Sequence, residues 1–180
     1  MSSLSSRTPV PIVTEKKKPA KEFHIGMVLP ITKKNNADFF LRAIDAICEL
    51  GFFVSVLAEG DSQAQKKCFE IVQTYPSRFE ILESTVKNKE KILASSDILL
   101  FPGTPEKNMI VECIKRGIVP VLPENNNFED FNPQNETGNA FTFEENNFWQ
   151  FFTAIIRSYE NFKFPYDWKN IQKNLKTKGL

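Results

Sequence analysis

Histidine is almost missing from this chain, with His24 alone, and the three cysteines, Cys48, Cys68 and Cys113, lie far apart without a CxxC pair. Metal centres and thiol redox sites draw on clusters of these residue types, so the supply argues against both, and no cofactor is expected. The cysteines fall on apolar or boundary faces of predicted helices and read as buried thiols. His24 opens the first predicted strand with no evident acidic or cysteine partner, and reads as structural or solvated rather than catalytic. An excess of charge is missing too. Lysine and arginine number 23 against 22 aspartates and glutamates, a net charge of +1, which removes the electrostatic case for nucleic-acid or membrane-surface partners. No apolar run approaches the roughly 20 residues needed to span a bilayer, and the N-terminus lacks a signal peptide's hydrophobic centre. The expectation is a cytoplasmic protein, in which the sequon at Asn135 to Thr137 carries little meaning. Neither GxGxxG nor GxxxxGK[ST] stands at a predicted strand end, so a generic dinucleotide or P-loop site ranks last.

What is present is an ordinary globular composition, 41% apolar and 25% charged over 180 residues. That length suits one domain, at about 100–200 residues each. Met1 to Glu22 has serines, prolines and the run Lys16-Lys17-Lys18 with little to bury, and reads as a flexible tail. The domain is then 23–180. His24 to Leu29 is an apolar strand. Asn36 can cap a helix in which Ala37, Phe40, Leu41, Ile44, Ile47 and Cys48 share a face, ending at Gly51. Phe53 to Ala58, Phe79 to Leu82 and Asp97 to Phe101 are further strands, with helices over Ser62 to Thr74 and Lys87 to Ala94 between them. Such alternation, with strands apolar on both faces, predicts an α/β fold: one Rossmann-like, doubly wound parallel sheet of six strands in order 3-2-1-4-5-6, helices on both faces.

The chain is organised around the stretch from Phe101 to Leu122. Met109, Ile110, Cys113 and Ile114 recur at helical spacing until Gly117 closes the helix, and Val119 to Leu122 is apolar again. Two buried strands joined by a helix must run parallel, so the loop from Pro102 to Lys107 opens at a carboxyl edge, where open α/β sheets bind ligands. Glu106 near the helix start favours the helix dipole but would repel a bound diphosphate. Pro123 to Asn139 has the composition of a surface loop, and Ala140 to Phe143 is a sixth strand. Phe148, Phe151, Phe152, Ile155, Ile156 and Tyr159 form an aromatic stripe on a helix starting near Asn146, which reads as core. Pro165 separates it from a last helix beginning at about Asp167.

In this order the chain, from about Phe23 to its end, resembles the C-terminal, nucleotide-sugar-binding domain of glycogen and starch synthases and related GT-B glycosyltransferases. Three segments carry the resemblance: IGMVLPITKKNNADFFLRAI; SSDILLFPG with Pro105, Gly117, Pro120 and Val121 at family spacing; and TGNAFTFEE, with Trp168 and Asn174 placed as in the family's closing helix. The resemblance implies a domain that, paired with a second one, clamps ADP- or UDP-glucose or a similar donor and passes the sugar to a glycan with retention. That chemistry needs cations or backbone donors on the departing diphosphate.

The resemblance also locates the candidate site. The family's loop S-R-L-x-x-Q-K-G holds the diphosphate through its arginine and lysine; here Pro30 and Asn35 occupy those positions, with Lys33 and Lys34 one or two residues away. Of the family's two glutamates eight positions apart, Thr104 stands at the first and Glu112 at the second, where relatives hold the ribose. Glu112 is either that ligand or an ordinary exposed helix residue. Asn126 and Asn127 replace a glycine pair, Gly60 matches a glycine after the second strand, and Asp130 matches an aspartate. Asparagine tolerates left-handed backbone, so the turn at 126–127 can persist. Scaffold positions thus match better than ligand positions. The expectation is a degenerate domain, non-catalytic by itself, serving as a nucleotide-sugar- or glycan-related binding or assembly module. The alternative is half of a split glycosyltransferase whose N-terminal-type domain comes from another chain.

Overall fold

The computed structural model describes residues 22–32 and 35–178, so the expected tail lies outside the described residues except for Glu22. Six strands, β1 (His24–Met27), β2 (Phe53–Leu57), β3 (Phe79–Leu82), β4 (Ile98–Leu100), β5 (Val119–Pro123) and β6 (Phe141–Phe143), form one sheet. Its order is β3-β2-β1-β4-β5-β6 and every pairing is parallel, the doubly wound arrangement expected. Six helices cover it: α1 (Ala37–Glu49), α2 (Ser62–Thr74), α3 (Val86–Ser95), α4 (Lys107–Arg116), α5 (Phe148–Phe162) and α6 (Pro165–Lys178).

The pleat divides the core in two. Ile98 and Leu100 of β4 face the larger layer with α1, α2, α5 and α6, while Leu99 between them faces the layer under α3 and α4. Ile44 and Ile47 of α1 are fully buried in the larger layer, each contributing about 1.5–3 kcal/mol over an exposed position. The aromatic stripe of α5 belongs to the same layer, as expected, with Phe151 and Ile155 buried at its centre. Phe23, just before β1, meets Phe52, Tyr159, Phe162 and Trp168 at ring distances of 5.5, 5.5, 4.9 and 6.4 Å, which closes the C-terminal helices onto the start of the sheet.

Local chemistry explains most element ends. Asp61 accepts from the Ala64 amide at 2.9 Å and starts α2 at Ser62; Gly117, at φ 69°, ends α4. Three expectations need correction. Pro165 does not separate the last two helices but opens α6, where its missing N–H costs nothing. Asn36 stands at the N-cap of α1, yet in left-handed backbone (φ 49°) its side chain makes no cap bond. His24 does have a carboxylate neighbour, since residues two apart in an extended chain share a face: Glu22 lies 3.6 Å from its Nε2, and its backbone N–H donates to Asp97 at 3.1 Å. Among the described residues no helix is long and apolar enough to cross a membrane, and no cluster of three or more His, Cys, Asp or Glu could hold a metal.

Candidate functional site

Strand order reverses between β1 and β4, so the crevice above their carboxyl ends, between the loops 28–36 and 101–106, is where a doubly wound sheet takes a ligand. In this chain one side-chain bond closes the first loop on itself and another ties it to the second. Asn35 Nδ2 donates to the Pro30 carbonyl at 2.9 Å, joining the two residues that the resemblance aligns with diphosphate ligands. Asn36 Nδ2 crosses to the other loop and donates to the Pro102 carbonyl at 3.2 Å. Beside it, the Asn35 backbone lies where a Cβ on Gly103 would stand only 3.3 Å away. Both amide side chains of the first loop are therefore engaged within the protein. Thr104, at the first glutamate position, is exposed and carries no charge. Lys33 and Lys34 lie outside the described residues.

Glu112 is half-buried on the side of α4 that meets α3. Its carboxylate accepts from Arg116 Nε at 3.0 Å and lies 3.8 Å from Lys115 Nζ, while Arg116 reaches Glu90 of α3 at 2.8 Å. The Arg116 hydrogen bond holds the Glu112 carboxyl below the ordinary carboxylate range, with Arg116, Lys115 and Lys89 adding to it. These are the contacts of a residue on a helix surface. The i, i+4 spacing of Glu112 and Arg116 is the sequence signal that announces the pair.

The remaining candidates have structural partners. Gly60 bridges to Ile31, whose carbonyl would stand 2.5 Å from an added Cβ, so the glycine lets the first loop close on the turn after β2. Asn126 and Asn127 are exposed, and neither adopts left-handed backbone. That part of the expectation is corrected: the turn persists because Asn125 Oδ1 accepts from the Asn127 amide at 3.0 Å, a side-chain turn that needs no positive φ. Asp130 pairs with Arg157 at 2.6 Å and accepts from the Thr142 amide of β6 at 2.9 Å, satisfying an edge-strand donor. The cysteines are buried, as read; burial pushes Cys48 and Cys113 up to about 12 and Cys68 to about 11, which keeps all three as neutral thiols.

A second concavity runs along β6 and the first turns of α5, with a volume of about 490 Å³. Glu124, Asn147, Trp149, Gln150, Thr153 and the Asp130–Arg157 pair face it. Trp149 is not among the residues the sequence pattern singles out, because it lies off the apolar stripe of α5, although an aromatic at that offset on an amphipathic helix is itself the sign of an exposed ring.

Comparison with known proteins defines the class first. The C-terminal domain of the glycosyl transferase group 1 family protein LpcC from Francisella tularensis superposes with a TM-score of 0.64 at 13% identity, over 86% of this chain and 82% of that one. The catalytic domain of cholesterol-alpha-glucosyltransferase from Helicobacter pylori gives 0.61 at 19% identity, over 87% and 97%. The fold is that of GT-B glycosyltransferase C-terminal domains. Among named relatives, a glycogen synthase of Trichodesmium erythraeum (strain IMS101) is 25% identical over 84% of this chain, and glycogen synthase 1 of Synechocystis sp. is 21% identical over 83%. The chain is thus glycogen synthase-like along most of its length. It spans about a third of those relatives, 35% and 33%. No family model matches it.

Proposed function

We propose that this chain is a degenerate, non-catalytic domain of the glycogen synthase type, acting as a binding or assembly module rather than as a sugar donor site. The observation that carries this reading is the Asn35–Pro30 hydrogen bond. At the two positions where relatives present cations to a diphosphate, this chain has an amide and a carbonyl facing each other. Without cations there, charge developing on a leaving diphosphate is not neutralised, and the transition state loses its main stabilisation. The neutral Thr104 acts in the same direction. In this reading the domain covers 23–180, follows a tail, and works in the cytoplasm, where its thiols stay reduced. The test is a transfer assay: the chain with ADP-glucose or UDP-glucose and glycogen should yield no labelled glucan, and measurable transfer would overturn the proposal.

One observation favours a second reading. Glu112 keeps the family's position and, held well ionised by Arg116, its charge. Half of a split retaining glycosyltransferase would use it on the ribose of ADP- or UDP-glucose, with an N-terminal-type domain on another chain. Mixing the two chains should then produce transfer that Glu112→Ala abolishes.

A further inference from the structure

The groove along β6 is built from side chains that neither the β1–β4 crevice nor the core employs. We infer that it is a binding site for a neutral oligosaccharide, docked on the indole of Trp149. This goes beyond the proposed function and does not depend on the state of the crevice, from which β5 separates it.

Trp149 is 71% exposed, whereas the other tryptophan, Trp168, is 7% exposed and part of the core. A large ring left in water at the rim of a concavity is the usual mark of a contact surface. Its π face carries partial negative charge, which complements the polarised C–H groups on a face of a pyranose ring. Around it stand the donors and acceptors that hydroxyl groups need: the Thr153 hydroxyl, the Gln150 and Asn147 amides and the Glu124 carboxylate. The amides are already fixed. Asn147 Oδ1 accepts from the Gln150 N–H at 3.2 Å and Gln150 Oε1 from the Glu144 N–H at 2.7 Å, while their Nδ2 and Nε2 donate to Glu144 Oε2 at 3.2 and 3.3 Å. Each amide keeps one N–H and one lone pair for a ligand, and little side-chain freedom is lost on binding.

Charge decides between ligand classes. One Arg157 nitrogen donates to the Asp130 carboxylate at 2.6 Å and the Phe131 carbonyl at 3.2 Å, so its charge is paired, and Glu124 adds a further negative charge. A groove negative on balance repels phosphates, nucleotides and acidic chains. Between the remaining classes, the hydroxyl and amide groups flanking the ring match an uncharged polyhydroxyl ligand, and a cationic one finds the Asp130 charge already paired. The volume of about 490 Å³ lies within the roughly 300–1,000 Å³ typical of ligand sites.

The full chain should be titrated with maltoheptaose and with cellohexaose by calorimetry and tryptophan emission, the buried Trp168 serving as a steady background. Saturable binding of at least one sugar is expected, with a change in emission. Trp149→Ala should weaken it at least about tenfold, and Trp149→Phe should keep part of the affinity. Thr153→Arg, at an exposed position that leaves the indole untouched, should weaken it by filling the groove. No binding of either sugar at millimolar concentration overturns the inference, as does binding indifferent to both Trp149→Ala and Thr153→Arg. Self-association that Trp149→Ala abolishes, without response to sugar, assigns the ring to a protein contact and also overturns it. Nucleotide-sugar binding in the same instrument bears on the crevice alone.

Discussion

The crevice at β1 and β4 and the groove along β6 are both concave, polar and set at strand ends, yet their side chains behave oppositely. In the crevice Asn35 donates to Pro30 and closes the first loop on itself, while Asn36 donates to Pro102 and ties that loop to the second. In the groove the Asn147 and Gln150 amides are bonded to Glu144, and Asn147 to the Gln150 backbone N–H as well, yet Trp149 beside them stands in water. Position in the fold therefore does not by itself tell where a ligand goes. What distinguishes the two is a hydrogen bond running from loop to loop across the crevice, against an exposed ring beside the groove.

This contrast is broken most severely at Gly138. At φ 88° an added Cβ would stand 2.2 Å from the Asp130 carbonyl, and Asn174 of α6 donates to the Gly138 carbonyl at 3.0 Å. Gly138→Val should cost about 3 kcal/mol or more, from left-handed strain and overpacking together, and it moves the groove wall through Asp130. Urea unfolding would read the loss, and sugar binding should fall with it while the crevice loops stay as they are.

Next in size is Asn36→Ala, which removes the Pro102 hydrogen bond and leaves a β-carbon in left-handed backbone. A loss of about 1–2 kcal/mol is expected in the same unfolding experiment. If the loops are held together as described, amide exchange should quicken at Gly103 and not at Trp149.

Much of the fold could be read from the sequence because its signals are local. Asp61 and Gly117 mark helix ends by their own chemistry, and the bounds of α2 and β3 follow from them and from periodicity. The crevice was read only in part. That Pro30, Asn35 and Thr104 lack charge is visible in one dimension, but the Asn36–Pro102 bond joins residues 66 apart and no local pattern announces it. Asn126 and Asn127 invited a left-handed turn, whereas the neighbouring Asn125 supplies the turn from its side chain. The groove escaped because Asp130 and Arg157 meet only once the loop before β6 folds over α5.

A smaller effect separates the groove from the crevice. Breaking the Asp130–Arg157 pair with Arg157→Ala should cost about 1 kcal/mol or less, because both side chains are partly exposed. It also frees the Asp130 carboxylate, so maltoheptaose binding should change and nucleotide response should not.

The smallest effect concerns Glu112. Its folded carboxyl is held below the ordinary value, so it stabilises the fold above the unfolded carboxylate pKa, and this is lost as pH falls through the lowered value. The stability difference between the wild type and Glu112→Gln should accordingly be present at neutral pH and vanish in acid, as read by urea midpoints across that window. A difference that grew in acid would mean that Arg116 is not its partner.

The most direct measurement is an amide and indole NMR titration of the full chain, first with ADP-glucose and UDP-glucose, then with maltoheptaose. The account predicts that the Gly103, Asn35 and Asn36 signals stay in place through the nucleotide sugars, while the Trp149 indole N–H moves with the oligosaccharide. Saturable shifts at Gly103 and Asn35 with a nucleotide sugar would contradict it, because they would mean that the Asn35–Pro30 bond opens to admit a diphosphate.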